Sequence, residues 1–220
     1  MSKIDIRTLK IKERVLIENS QLLLPNCGIV VIRGNNGIGK STLAHYLHTE
    51  IKSSTLMNQS NSRIIASMSI HENILFGQKN RNLDILLSKY SLETLIDKEA
   101  ASLSGGEARL ISLLRAMMSP NSLVILDEPT SDIDQYWYDI MMSIIEEFST
   151  KKCVIIITHD LRITQAKFEY KIENQKIFPI TLDEIDHTPI KEQINFPTLS
   201  ILKKKNRFKK LILTIFFVLI

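Results

Sequence analysis

Three short stretches carry residue types that could do chemistry together. The first is GNNGIGKST, Gly34–Thr42, which fits G-x-x-x-x-G-K-[ST]. Glycines there let backbone N–H groups curl round phosphate oxygens, and a helix opening at Lys40 adds its positive dipole end. Asn35, Asn36, Gly37, Ile38, Gly39 and Thr42 make up the rest of the cradle. Lys40 would reach the β- and γ-phosphates, and the Ser41 hydroxyl is placed for Mg²⁺. The second stretch, LVILDEP, ends an apolar run in two carboxylates. Asp127 suits an Mg²⁺ partner and Glu128 a general base that activates water. The third is LSGGE, Leu103–Glu107, with Ser104, Gly105 and Gly106 at the start of a helical pattern. Glycine inside a helix is disfavoured by roughly 1 kcal/mol relative to alanine, so a pair at the start marks a place where backbone must come close to something.

The elements that must hold these stretches are legible in the hydrophobic pattern. Residues 4–33 read as three strands, of which GIVVI is continuous and β-branched, as a buried strand requires. A helix follows over 40–51, and short helices over 71–97. Leu110, Leu113, Leu114 and Met117 recur at helical spacing, as do Trp137, Ile140, Met141, Ile144, Ile145 and Phe148. SLVILDEP and CVIIITHD read as buried strands, and FEYKIENQKIFPI as an edge hairpin. Strands alternating with helices predict an α/β fold with a mostly parallel sheet.

In the order GNNGIGKST, LSGGE, VILDEP, SDID and ITHD, the chain resembles the nucleotide-binding domain of an ABC ATPase. Gly105 and Asp127 are 22 residues apart, and Glu128 and His159 are 31 apart. The resemblance implies a P-loop NTPase fold, with N-terminal antiparallel β elements and a helical subdomain carrying the signature LSGGE. It implies ATP and Mg²⁺ as ligands. It also implies a head-to-tail dimer in which Ser104, Gly105, Gly106 and Glu107 cap the γ-phosphate of ATP held by a second copy. His159, after the strand VIIIT, stands at the family's switch histidine, which contacts the γ-phosphate. SDID resembles the D-loop that couples the two ATP sites, although the family more often has a small residue where Asp132 stands.

The pattern departs from the family in two places. Gln59 is the candidate for the Mg²⁺-binding glutamine, with Gln78 the weaker alternative, yet Gln59 follows Lys40 by only 19 residues. Lys40 to Ser104 is 64 residues, which implies a reduced helical subdomain. The family stacks adenine on an N-terminal aromatic, but no Phe, Tyr or Trp precedes Tyr46, leaving Ile11, Lys12 or Arg14 to cover the base.

Charge and hydropathy organise the remainder. Of the 28 basic residues six fall in KKKNRFKK, 203–210, and the rest of the chain is slightly acidic, which argues against a nucleic-acid surface. Cys27 and Cys153 fit no metal-ligand spacing and read as reduced thiols. The opening MSKIDIRTLK has no apolar core of a secretory signal. The expected organisation is an ATPase domain over 1–180, a linker over 181–202, and a basic juxtamembrane run with the start of a transmembrane helix over 203–220. A membrane-touching anchor and a solvated basic arm are the alternatives for that tail. The expected function is ATP hydrolysis driving transport, with export favoured, at the cytoplasmic face of a membrane and beside a transmembrane domain. The alternatives are a soluble ABC ATPase with a regulatory or mechanical role, and an inactive nucleotide sensor.

Overall fold

The computed structural model describes residues 1–58, 64–76 and 83–180. Gln59, Gln78 and the segments 181–202 and 203–220 lie outside the described residues. Two strands, β1 (Ser2–Ile11) and β2 (Arg14–Leu24), form an antiparallel ribbon. The six-stranded sheet then comprises β3 (Gly28–Arg33), β4 (Ser54–Met57), β5 (Leu123–Asp127), β6 (Cys153–Thr158), β7 (Phe168–Glu173) and β8 (Lys176–Pro179). Its order is β4-β5-β6-β3-β7-β8. Every pairing is parallel except the β7–β8 hairpin, which forms the sheet edge as its sequence predicts. The helices are α1 (Lys40–Glu50), α2 (Ile70–Leu75), α3 (Leu83–Lys89), α4 (Glu93–Ile96), α5 (Gly105–Met117) and α6 (Gln135–Ser149).

Both faces of the sheet are covered, which is why its central strands are apolar throughout. Ile29 and Val31 of β3, with Val124, Leu126, Val154 and Ile156, pack against α5 and α6. Val30 and Ile32, with Ile125, Ile155 and Ile157, pack against Leu43 and Leu47 of α1 and against the ribbon residues Ile6, Ile17 and Leu22. The predicted stripe Leu110, Leu113, Leu114 and Met117 is fully buried. On α6, Met141, Ile144 and Ile145 are buried and Trp137, Ile140 and Phe148 half-buried.

The parallel register gathers the motifs. Arg33 pairs with Thr158, and Asp127 with Ile157. The chain therefore leaves β3, β5 and β6 at one edge of the sheet, into Gly34, Glu128 and His159. Carboxyl ends of parallel strands are where open α/β sheets hold ligands. The strand β4 is an element the sequence pattern does not announce: STLM is four residues long and has no alternation. It becomes a strand by pairing in parallel with β5 from Ser54↔Leu123 to Met57↔Leu126. No helix among the described residues is long and apolar enough to cross a membrane.

Candidate functional site: a phosphate cradle facing two carboxylates

The loop after β3 curls back on itself before α1. Gly39 caps α1 with φ 111°, a conformation natural to glycine, and a Cβ there would lie 2.9 Å from Leu16 Cδ1 of β2. Gly37 has φ 75° and open space around it, on the side where the loop faces the cleft. Ile38 N–H closes the turn onto Asn35 O at 3.3 Å. Lys40, although charged, is buried and folds back under the loop. Its Nζ donates to Gly34 O at 2.9 Å, Asn35 O at 3.4 Å and Asn36 Oδ1 at 3.2 Å, and pairs with Glu128 Oε1 at 3.1 Å.

Glu128 is held from several sides. Thr158 donates its hydroxyl to Oε2 at 2.8 Å, and His159 Nδ1 lies 2.8 Å from Oε1. An ionised carboxylate only accepts, so Nδ1 carries the proton of that bond. Burial would raise the Glu128 carboxyl, but the hydrogen bonds from His159, Thr158 and Lys40 outweigh it and hold the group below the usual carboxylate range. Its backbone is left-handed, with φ 51°, as is that of Asp132 at 58°. Side chains in such conformations cluster where geometry serves a site.

Asp127 is different. It is buried, and burial followed by the neighbouring Glu128 charge raises its carboxyl, opposed by the Ser41 hydroxyl, Lys40 and His45. Its Oδ1 has no hydrogen-bond partner among the described residues. An oxygen-rich site with a buried, unsatisfied carboxylate oxygen beside a hydroxyl fits a hard divalent cation such as Mg²⁺. Asp127 and Ser41 would hold it; Gln59, the third predicted ligand, lies outside the described residues.

Lys40, Ser41, Glu128 and His159 share a cleft of about 1100 Å³, whose lining does not include Asp127. Its walls bring Lys40, Ser41 and Thr42 together with Glu128 and His159, and the β1–β2 turn closes the other end through Ile11 and Arg14. Of the three residues predicted to cover a base, Ile11 and Arg14 line the cleft and Lys12 does not.

Ser104–Glu107 do not line it. They begin α5 by a capping box: Ser104 Oγ accepts from Glu107 N–H at 3.3 Å, and Glu107 Oε2 accepts from Ser104 N–H at 2.8 Å. The other Glu107 oxygen pairs with Lys98 at 2.5 Å, so this carboxylate serves the helix end. The two glycines differ. A Cβ on Gly105 would meet nothing within 4 Å, whereas one on Gly106 would lie 2.4 Å from Trp137 Cδ1.

Two arginines that carry no motif in the sequence hold the site. Arg109 of α5 donates through Nε to Pro129 O at 2.9 Å and through Nη2 to Ser131 Oγ at 2.7 Å and to Glu128 O. Arg162 pairs with Asp160 at 2.7 Å, donates to Thr130 O at 3.2 Å and stacks over the Tyr138 ring, 4.2 Å from its centroid. The Thr130 hydroxyl donates to Asp160 Oδ2 at 2.8 Å, so the segments after β5 and β6 are bolted together.

Comparisons with known proteins bear on the family and the fold. The family profile described as ABC transporter matches residues 17–131. The zinc import ATP-binding protein ZnuC of Wigglesworthia glossinidia brevipalpis is 29% identical over 174 residues, which cover 70% of this chain and 74% of that one. The lipoprotein-releasing system ATP-binding protein LolD of Buchnera aphidicola subsp. Acyrthosiphon pisum is 38% identical over 96 residues, 42% of each chain. The macrolide export ATP-binding/permease protein MacB of Campylobacter jejuni is 24% identical over 231 residues, 88% of this chain but only 35% of that protein. A nucleotide-free ATP-binding cassette from an ABC transporter superposes with a TM-score of 0.64 at 19% identity, over 80% of this chain and 88% of that one, a likeness of fold. With the profile running from β2 past the carboxylates that end β5, this chain belongs to the ABC transporter family.

Proposed function

We propose that the chain binds and hydrolyses ATP, and that two copies closing around two Mg-ATP drive a membrane-spanning partner from the cytoplasmic face. The observation that carries this reading is the gathering of Lys40 and His159 about the Glu128 carboxylate, each within 3.1 Å of Oε1, beside the unpartnered Asp127 oxygen. Lys40 and the loop amides would take the β- and γ-phosphates. Glu128 would accept a proton from water as the water oxygen bonds to the γ-phosphorus. The bond from that phosphorus to the bridging oxygen then breaks, and the electron pair leaves with ADP. His159, donating through Nδ1 to Glu128, would meet the γ-phosphate through Nε2, which donates to it only with the imidazole doubly protonated. Mg²⁺, when bound, supplies charge neutralisation at the phosphate oxygens. The bare amides at Gly105 would meet the γ-phosphate of the second copy's nucleotide.

The names of the relatives include an import protein and an export protein, so direction of transport is not part of this proposal. The test is phosphate release from ATP by the purified chain, with and without Mg²⁺, beside a Lys40→Ala variant. Mg²⁺-dependent release that the substitution removes is expected. Undiminished release by the variant overturns the assignment of the cradle.

A further inference from the structure

Arg109 lies four residues beyond Gly105 on α5, one turn from the helix end that carries the signature. Its guanidinium does not stay with its own helix. It spans three acceptors on the segment after β5, namely the carbonyls of Glu128 and Pro129 and the hydroxyl of Ser131. Ser131 also donates its hydroxyl to Glu128 O at 3.1 Å, so that carbonyl is gripped from two sides. The grip falls on a residue that needs it. A left-handed backbone costs an L side chain roughly 1–2 kcal/mol, and Glu128 adopts one. Thr158 and His159 fix the Glu128 carboxylate, but their hydrogen bonds do not reach its carbonyl. Arg109 is therefore the link between the first turns of α5 and the backbone that aims Glu128. A planar guanidinium sets its donors in a rigid fork that matches acceptors on these three residues at fixed angles, whereas an ammonium offers a single nitrogen on a flexible stem.

We propose that Arg109 is a positioning residue for Glu128, making the aim of that carboxylate depend on where the signature end of α5 sits. The inference rests on the reading of Glu128 as the proton acceptor in hydrolysis. It gives the chain an internal connection between an anion held at the start of α5 and water activation in its own cleft. Arg109 is not among the residues lining that cleft, so its substitution leaves nucleotide contacts in place.

The experiment is steady-state ATP hydrolysis by the full chain and its Arg109→Lys, Glu128→Gln and doubly substituted forms, with melting temperature and ATP affinity measured on each. Arg109→Lys keeps a positive charge and most of the stem, so folding is expected to survive. Its kcat should fall by about 100-fold, as misplacement of a reacting group by about 1 Å does, while KM stays within about twofold. In the Glu128→Gln background the same change should lower the residual rate no further, because both act through one side chain. A drop in the residual rate as large as in the wild type overturns the inference, as does a loss of ATP affinity in parallel with kcat. Full activity of Arg109→Lys beside an inactive Glu128→Gln overturns the inference alone. Full activity of Glu128→Gln overturns instead the reading of Glu128 on which it rests.

Discussion

Lys40 Nζ stands 3.1 Å from Glu128 Oε1, with both side chains nearly out of solvent. The cation that would meet a triphosphate is thus already neutralised by the carboxylate that would activate water. Entering phosphates must compete with Glu128 for Lys40. The substitution Glu128→Gln therefore has two separable effects. Hydrolysis falls by at least about 100-fold, as loss of a general base does. ATP affinity is kept or tightened, because Lys40 loses its internal counter-ion. The variant should then accumulate as an ATP-dependent dimer in size-exclusion chromatography. Hydrolysis at the wild-type rate would contradict the role given to Glu128.

The paired glycines of the signature answer to different constraints, and alanine separates them. Gly106 lies under Trp137, whose indole is packed edge-on against Tyr136 with 5.0 Å between ring centroids. A methyl there must displace the indole, so Gly106→Ala is expected to lose about 1–3 kcal/mol in urea unfolding, the range of overpacking. Trp137→Leu should restore part of that loss. Gly105 faces open space and has no positive φ, so Gly105→Ala should unfold within about 0.5 kcal/mol of the wild type. Its methyl nonetheless covers amides that an anion would approach. Gly105→Ala with normal stability and slowed ATP hydrolysis is the expected pair of results; undiminished hydrolysis would remove the anion role from this helix end.

Acid stability should depend on Asp160. Burial would raise its carboxyl, but hydrogen bonds from Arg162 and Thr130 prevail and hold it at about 2, against 3.8 in the unfolded chain. A depressed native value means that the stabilisation is fully present above the unfolded value and is lost as pH falls through 3.8 towards 2. Melting temperature measured from pH 5 to pH 2 should drop across that window. Asp160→Asn should lower the melting temperature at neutral pH and flatten the acid limb. An unchanged acid limb in the variant would show that the Arg162–Asp160–Thr130 cluster does not contribute to stability there.

How far each feature is legible in the sequence depends on the range of its signal. GIVVI, LVIL and CVIII announce buried parallel strands locally, and parallel strands release their succeeding loops at one edge of the sheet. The meeting of Lys40, Glu128 and His159 is therefore implicit in three short runs. Arg109 is not. Between Ala108 and Leu110 it reads as an ordinary polar helix residue, and its acceptors become neighbours only when α5 packs beside β5. Gly106 looks like Gly105 in the chain, and only the arrival of Trp137 from α6 tells them apart. β4 owes its strand to pairing with β5, since four residues carry no period of their own. Glu107 has a local signal in Ser-x-x-Glu, the capping box, which the family resemblance overshadows by implying a nucleotide contact.

The far end of the cleft bears on which nucleotide enters. There Ile11 and Arg14 face each other across the β1–β2 turn, Ile11 half exposed, and no Phe, Tyr or Trp is among the described residues lining the cleft. A base stacked on an aromatic gains about 1–3 kcal/mol. An isoleucine and a guanidinium lying over the ring would offer an apolar and cationic cover instead, with the guanidinium donors directed away from the purine edges. Discrimination between purines needs a donor–acceptor pattern set against one purine edge, because only an unmatched buried polar group penalises the wrong base. ATP and GTP should therefore be hydrolysed with kcat/KM values within about threefold of each other, less than about 1 kcal/mol in transition-state terms. Ile11→Trp should lower KM for both nucleotides together by restoring a stacking surface. A strong preference for ATP in the wild type would mean that a polar group outside Ile11 and Arg14 reads the base, and would move the base subsite away from this turn.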